Sequence, residues 1–462
     1  MNKTIKDISL EIGSGITPLR SNELYWNSSD IPWIKTEQLG QYRIFDSMEY
    51  ISDFALEDTN IRLWSPHTVS VAMYGEGKTR GNVSILMIET TTNQACCNIK
   101  VNDALADYRF LYYWLKNNYE NLRALSAGVR KNLNADDIKN FSFPENSLSE
   151  QEKIADILSV VDDKIELNSK ICSELEAMSK TLYDYWFVQF DFPDENGKPY
   201  RTSGGEMVWN EQLKREIPDG WNLGSVNNLL KIENTSVIPN KYGNAVMEHY
   251  SIPAFDDDHN PVYEEASTIE SGKYAVDPEC ILISKLNPQF KRLWDPYCDT
   301  ANAICSTEFI VYRPRVAWTR PFCYAVLNSD AFYSHMTGKA TCSTGSRKRI
   351  QPDVSASFEL PIPDKKTMHS FTELYAPIME KRKSLYKENR ELTRLRDWLL
   401  PMLMNGQVTV VDAKEEVSKA ILYAPQTVEV RQAARTFGDK ETDDTADLVQ
   451  AYLRRKRHDS KT

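Results

Sequence analysis

"LSEQEKIADILSVVDDKIELNSKICSELEAMSKTLYDYW", residues 148–186, decides how the rest of the chain is read. Leu158, Val161, Ile165, Asn168, Cys172, Leu175, Ser179, Leu182 and Trp186 recur at alternating spacings of three and four. That is the pattern of a helix burying a narrow seam against a partner helix. Ser149 followed by Glu152 has the form of a capping box at its start. A second stretch behaves the same way: "TMHSFTELYAPIMEKRKSLYKENRELTRLRDWLLPMLMNG", residues 367–406. Its seam runs Phe371, Leu374, Ile378, Lys381, Leu385, Glu388, Leu392, Leu395, Leu399 and Met402, and Asn405-Gly406 is a natural stop. Pro377 lies inside this run, so a kink or a delayed start is expected there. Two such helices most simply pack on each other as a coiled-coil pair; the alternative is that each packs on its own domain. The polar seam positions Asn168, Lys381 and Glu388 would set the register.

Just ahead of each helix the chain says nearly the same thing. "GVRKNLNADDIKNFSFP" spans residues 128–144, and "GSRKRIQPDVSASFELP" spans 345–361. The offset is 217 from glycine to glycine (345 − 128). Upstream, "TTNQACCNIKV" from Thr91 resembles "TANAICSTEFIV" from Thr300, placing Asn93 over Asn302 and Cys96 over Cys305. A period of half a chain is too long for a solenoid and reads as a tandem duplication.

The order is therefore domain, helix, domain, helix. The reading is a mixed α/β (α+β) domain at 1–147, a helical region at 148–190, a connector at 191–220, a second mixed domain at 221–366, a second helical region at 367–407 and an appendage at 408–462. Within the two domains, short β-branched runs such as "TVSVAMY" and "CILISKL" alternate with turn residues. Each domain adds one helical stretch, "DYRFLYYWLKNNYENLRAL" or "RPFCYAVLNSDAFYSHMTG". The connector, rich in Pro, Gly and charge, reads as irregular. The tail beyond Asp412 is polar and ends "RRKRHDSKT", and we expect it to be partly disordered.

At 41% hydrophobic and 26% charged, the 462 residues have ample material for cores. No stretch approaches the length of a membrane span, and "MNKTIKDISLEIGSG" lacks an apolar export signal. The eight Cys are scattered without a CxxC, which points away from zinc or redox chemistry. A net charge of −11 argues against a generic polyanion binder, but a local basic face suffices for a sequence reader.

Catalytic motifs fail on inspection. "GEGKT", residues 75–79, ends like a phosphate loop, but the required earlier glycine falls on Ala72. "LNPQF", residues 286–290, resembles the Asn-Pro-Pro-aromatic motif of amine methyltransferases, with Gln289 in place of the second proline and no cofactor loop before it. No metal-ligand spacing is present. What remains are basic and aromatic clusters: Tyr74, Lys78 and Arg80; Arg130, Lys131 and Asn132; Lys285, Lys291 and Arg292; Arg347, Lys348 and Arg349. Arg and Asn can read base edges, and Lys can hold phosphates. The competing reading is solvated turns.

With these residues in place, the sequence resembles a type I restriction-modification specificity subunit over residues 1 to about 408. Its most specific carriers are the helix quoted first with its continuation "FVQFDF", and "NGKPYRTSGGEMVWNEQLKREIPDGW"; "IPWIKTEQL" (31–39) and "NQA" (93–95) also fit. The resemblance implies two target recognition domains, each reading half of a bipartite, asymmetric site in double-stranded DNA. It implies that the long helices form an antiparallel coiled coil, giving a pseudo-twofold chain with a seam including Leu158, Val161, Ile165, Leu175, Leu182, Ile378, Leu385, Leu392, Leu395 and Leu399. It also implies two methylation subunits and restriction/translocation subunits as partners, a cytoplasmic location, and no catalytic residue or cofactor on this chain. S-adenosylmethionine, ATP and Mg²⁺ would belong to the partners. The alternatives are a recognition subunit of a related type II-like enzyme and a protein-only coiled-coil scaffold. The tail beyond Asp412 extends past the ending this family leads us to expect.

Overall fold

The computed structural model describes residues 3–75, 77–125, 132–342 and 347–422. These fall into two compact units, 3–166 with 391–422 and 167–390, so both long helices contribute to both units.

In the first unit the strands are β1 (Ser9–Ser14), β2 (Ile31–Ile34), β3 (Arg43–Ile44), β4 (Glu49–Ile51), β5 (Thr68–Ala72), β6 (Val83–Leu86), β7 (Thr91–Thr92) and β8 (Cys96–Val101). They make one sheet of order β1-β8-β5-β6-β3 and another of order β4-β2-β7. The "TVSVA" and "VSIL" strands are buried on both faces, which is why they read as β-branched runs rather than alternating ones. Their small polar side chains satisfy one another: Ser70 Oγ donates to Asn98 Oδ1 at 2.7 Å, and Asn98 Nδ2 donates to Thr92 Oγ1 at 2.7 Å.

In the second unit, residues 191–220 are ordered rather than irregular. A hairpin of β9 (Met207–Asn210) and β10 (Arg215–Pro218) lies there. The Asp191 carboxylate accepts from the Thr202 amide at 2.8 Å and hydroxyl at 2.7 Å, and Phe192, Tyr200 and Trp221 stack around it. A composition rich in turn formers hid a segment held by aromatic packing. Then follow β11 (Asn222–Ser225), β12 (Leu230–Ile232), β13 (Ser236–Val237), β14 (Val246–Tyr250), β15 (Val262–Glu265) and β16 (Lys273–Ala275). After these come β17 (Ile281–Ser284), β18 (Leu293–Trp294), β19 (Ala303–Ser306) and β20 (Phe309–Pro314). The sheets are β12-β20-β17-β18 and β13-β16-β19-β14-β15.

The duplication is explicit in these orders. β1-β8-β5-β6 corresponds to β12-β20-β17-β18, with antiparallel pairing throughout. β4-β2-β7 corresponds to β15-β14-β19, with one antiparallel and one parallel pair in each. The strand registers correct the upstream alignment. Cys96 faces Ala72 across β8 and β5, and its counterpart facing Ser284 is Phe309; Cys305 lies on β19, in the other sheet. Matching letters several residues apart had stood in for a shifted frame. Each domain also closes on itself. Phe143 N donates to Lys3 O at 2.8 Å and Ile5 N to Phe141 O at 3.0 Å, while β11 pairs antiparallel with Glu359–Ile362.

The first long helix runs Leu148–Tyr183 and continues in a π-helical turn, Asp184–Val188. Its capping box is Ser147 with Glu150, not Ser149 with Glu152. The Glu150 carboxylate accepts from the Ser147 amide and hydroxyl, both at 2.9 Å, and Ser149 already lies inside the helix. The second long helix runs Lys365–Met404 without interruption at Pro377. The helices pack on each other as an antiparallel pair. In the second unit Asn168 Nδ2 donates to Asn389 Oδ1 at 2.8 Å, Arg382 Nη2 reaches Glu176 at 3.2 Å and Trp186 packs on Phe371. In the first unit Leu158 and Val161 share a core with Leu392 and Leu399, with Ile165 and Leu395 partly buried beside them. Ile378 and Leu385 are buried, and Leu175 and Leu182 are half-buried. The polar positions facing the seam on the second helix are Arg382 and Asn389, one residue past the Lys381 and Glu388 expected from spacing. Both pairs are seven apart, so the period is as expected and only the step differs: Arg382 and Asn389 follow the buried Ile378 and Leu385 by four residues rather than three. Beyond it, the helix Val410–Leu422 places Ala413 and Val417 in the first unit's core, so this part of the tail is a packed element. Residues after Leu422 lie outside the described ones.

Charged groups sit inside the first unit beside the helix pair. Asp162, 2% exposed, accepts from Tyr113 Oη and from Arg396 Nη1, both at 2.7 Å. Burial, with Arg396 close by, pushes the Lys116 ammonium down to about 8. An unfolded lysine keeps its proton to about pH 10.4. The folded state therefore binds fewer protons between these values, and stability should rise as pH climbs from about 8 to about 10. The full penalty applies below pH 8. Lys116→Met should flatten that rise and stabilise the chain at neutral pH. Urea titrations at pH 7 and 9.5 check it: an unchanged pH dependence would mean that Lys116 is solvated.

Candidate nucleic-acid interface

In each unit the residues between two paired core strands form a projecting loop, and the repeated segment runs beside that loop. In the first unit the loop joins β5 to β6. Leu133 N donates to Met73 O at 3.0 Å, which lays half-buried Asn132 next to exposed Tyr74. The loop is braced from the helix Tyr119–Ala124. Tyr119 Oη donates to Lys78 O at 2.6 Å, and Arg123 Nη1 donates to Arg80 O at 2.8 Å and Tyr119 Oη at 2.7 Å. Gly81 is needed at this brace. Its φ is +88°, and a Cβ there would lie 3.2 Å from both Tyr119 and Arg123. Lys78 is exposed and Arg80 half-buried. Arg130 and Lys131 lie outside the described residues.

In the second unit the loop joins β17 to β18. Ile350 N donates to Lys285 O at 3.1 Å, the counterpart of the Leu133–Met73 bond. Leu133 and Ile350 are again 217 apart (350 − 133). Asn287, at φ +49°, makes two hydrogen bonds to the repeated segment: its backbone N–H donates to Lys348 O at 2.7 Å, and its Oδ1 accepts from Lys348 N at 3.0 Å. Arg347 and Lys348 are exposed, as is Phe290 at 55%. The repeat is thus the segment that fastens each loop, which gives its recurrence a structural reason.

The expected basic residues do not all stand alike. Arg349 makes a two-point pair with Glu308, at 3.1 and 2.9 Å, and holds that carboxylate below its usual range, with Lys285 and Arg347 adding to the effect. Arg292 grips Asp256 in the same way, at 2.6 and 2.8 Å. Lys291 lies 3.8 Å from Asp330 and over the Tyr333 ring, and burial lowers its pKa. These three are held by the protein itself, whereas Arg347 and Lys348 are exposed. The bracing residues Tyr119, Arg123 and Asn287 escaped sequence reading. For Asn287 a signal was present, since Asn-Pro marks a turn. The "LNPQF" stretch is this turn. Each loop can offer cations, an exposed aromatic ring and an amide on a fixed backbone frame, a donor set suited to phosphates and base edges.

A family model for the type I restriction modification DNA specificity domain matches residues 1–177. The chain is 27% identical over 426 residues to the type I restriction enzyme MjaIX specificity subunit of Methanocaldococcus jannaschii, covering 88% of this chain and 93% of that protein. It is 22% identical over 346 residues to the type I restriction enzyme HindI specificity subunit of Haemophilus influenzae, covering 61% of this chain and 72% of that one. The crystal structure of a type I restriction-modification S subunit from M. genitalium aligns with a TM-score of 0.52 at 17% identity, over 87% of this chain and 95% of its own, a likeness of fold. Residues 1–177 thus match a type I restriction modification DNA specificity domain, and the chain is similar over most of its length to type I restriction enzyme specificity subunits.

Proposed function

We propose that this chain is the DNA-reading subunit of a type I restriction-modification complex, with each domain recognising one half of a bipartite, asymmetric site. The supporting observation is the paired loop frame: one backbone arrangement built twice, carrying Tyr74, Lys78, Arg80 and Asn132 in one unit and Lys285, Arg347 and Lys348 in the other. Equal frames with unequal side chains fit two different half-sites. In this reading the chain is non-catalytic by itself and works in the cytoplasm, and methylation and restriction subunits bring S-adenosylmethionine, ATP and Mg²⁺. No helix among the described residues is long and apolar enough to cross a membrane.

Methylome sequencing of the host with and without the gene tests this reading. The expected result is one split motif that loses its methylation when the gene is deleted. An unchanged methylome, together with no salt-dependent DNA binding by the purified complex, would instead indicate a protein-only scaffold.

A further inference from the structure

Each domain is fastened to the long helices by ion pairs, and the two sets have opposite sign. In the first unit the domain supplies the cations. Arg43 Nε donates to Glu166 Oε2 at 3.0 Å, its guanidinium also pairs with Asp163, and its side chain is 23% exposed. Arg109 Nη1 reaches Asp156 at 2.7 Å. In the second unit the helices supply the cations. Lys383 lies 3.0 Å from Asp295, and Lys387 and Arg390 both reach Asp299 at 2.7 Å. Lys180 on the first long helix meets Asp330 at 2.6 Å in the same sense. Lys383, Lys387 and Arg390 follow spacings of four and three, so they share one helix face.

At one pair of matching positions the sign reverses, while Asp156 and Glu373, Asp163 and Glu380, and Lys170 and Lys387, each also 217 apart, keep theirs. The helix starts Leu148 and Lys365 are 217 apart (365 − 148), and so are Glu166 and Lys383 (383 − 166). At one place in the duplicated plan, one helix carries an anion facing a cationic domain and the other a cation facing an acidic loop. The two domains share strand order, and apolar packing is non-directional, so burial alone discriminates poorly between them. Like charges brought together in a partly buried contact do discriminate.

We propose that this reversal of sign is a pairing code that selects which domain seats on which long-helix segment. The segment 156–166 accepts a domain presenting arginines, the segment 383–390 accepts one presenting aspartates, and the wrong seating is rejected by repulsion. The inference concerns assembly of the chain and stands whether or not the loops bind DNA.

The test uses the full chain and hydrogen exchange. Arg43→Glu should speed exchange of amides in 42–45 and 108–113 about tenfold, leaving 295–299 unchanged as the internal control. Adding Asp163→Arg and Glu166→Arg reproduces the polarity of the second unit, and should bring exchange back to within about threefold of the parent. A triple variant as fast as Arg43→Glu alone would overturn the proposal, because sign matching would then have no effect. So would an Arg43→Glu chain with parental exchange. Should Arg43→Glu not fold, Arg43→Gln decides: about threefold faster exchange supports the code, and unchanged exchange overturns it.

Discussion

Arg396→Met is expected to cost the first unit about 3–5 kcal/mol, because it leaves Asp162 buried without its counter-charge. Asp162 is 2% exposed, and its two acceptor bonds come from Arg396 and Tyr113. Burial works against the Arg396 charge, yet Asp162 and Asp397 hold it above its ordinary value. Methionine keeps the packing of the stem but donates nothing. The remaining Tyr113 hydroxyl cannot repay the desolvation of a carboxylate. Asp162→Asn added to Arg396→Met should recover most of the loss, since the amide oxygen still accepts from Tyr113 and no charge is left stranded. Urea titration read by hydrogen exchange in the first unit measures both. A single-variant cost below about 1 kcal/mol would place this pair among the weak surface bridges.

The second large effect concerns DNA. Arg347→Ala with Lys348→Ala should weaken binding at about 0.1 M salt by about 10–100-fold and lower the salt slope by about two, since each phosphate contact releases roughly 0.9 counterion. Both side chains are exposed on a segment whose backbone Asn287 fixes. Arg292→Ala is the informative contrast. Its guanidinium already grips Asp256 at two points, so its removal should change the slope little. Binding isotherms from 50 to 300 mM salt decide the matter. Equal slopes for the double variant and the parent would remove this loop from the DNA surface.

The contrast between Arg292 and Arg347 also marks where sequence reading stopped. Both sit in basic clusters, and nothing local distinguishes them. Asp256 lies 36 residues from Arg292 and Glu308 lies 41 from Arg349, so the fold alone brings these acids to the bases. The long helices were legible because their seams repeat every three or four residues over ten turns. Errors there were small and physical. The cap lay two residues upstream, at Ser147, because two overlapping Ser-x-x-Glu patterns compete. The polar seam slipped by one residue, to Arg382 and Asn389, because the step after Ile378 and after Leu385 is four residues rather than three, and a heptad allows either order. The repeated loops were legible as a repeat but not as a clamp. Their partners Met73 and Lys285 contribute backbone carbonyls, which no side-chain pattern announces. The β9–β10 hairpin was missed because its glycines, prolines and charges look like a linker, while the aromatic residues that order it are spread from Phe192 to Trp221.

One feature of the domains reaches beyond a single chain. Lys3 and Ile5 bond to Phe143 and Phe141, and β11 bonds to Glu359–Ile362, so the polypeptide enters and leaves each domain side by side. Everything between those two points can be exchanged without displacing the helix that follows, provided the replacement also brings its ends together. A genetic crossover near residue 3 and another near 143, or near 224 and 360, would deliver a complete module in the correct frame. Such a layout lets recombination replace one domain while the other stays as inherited.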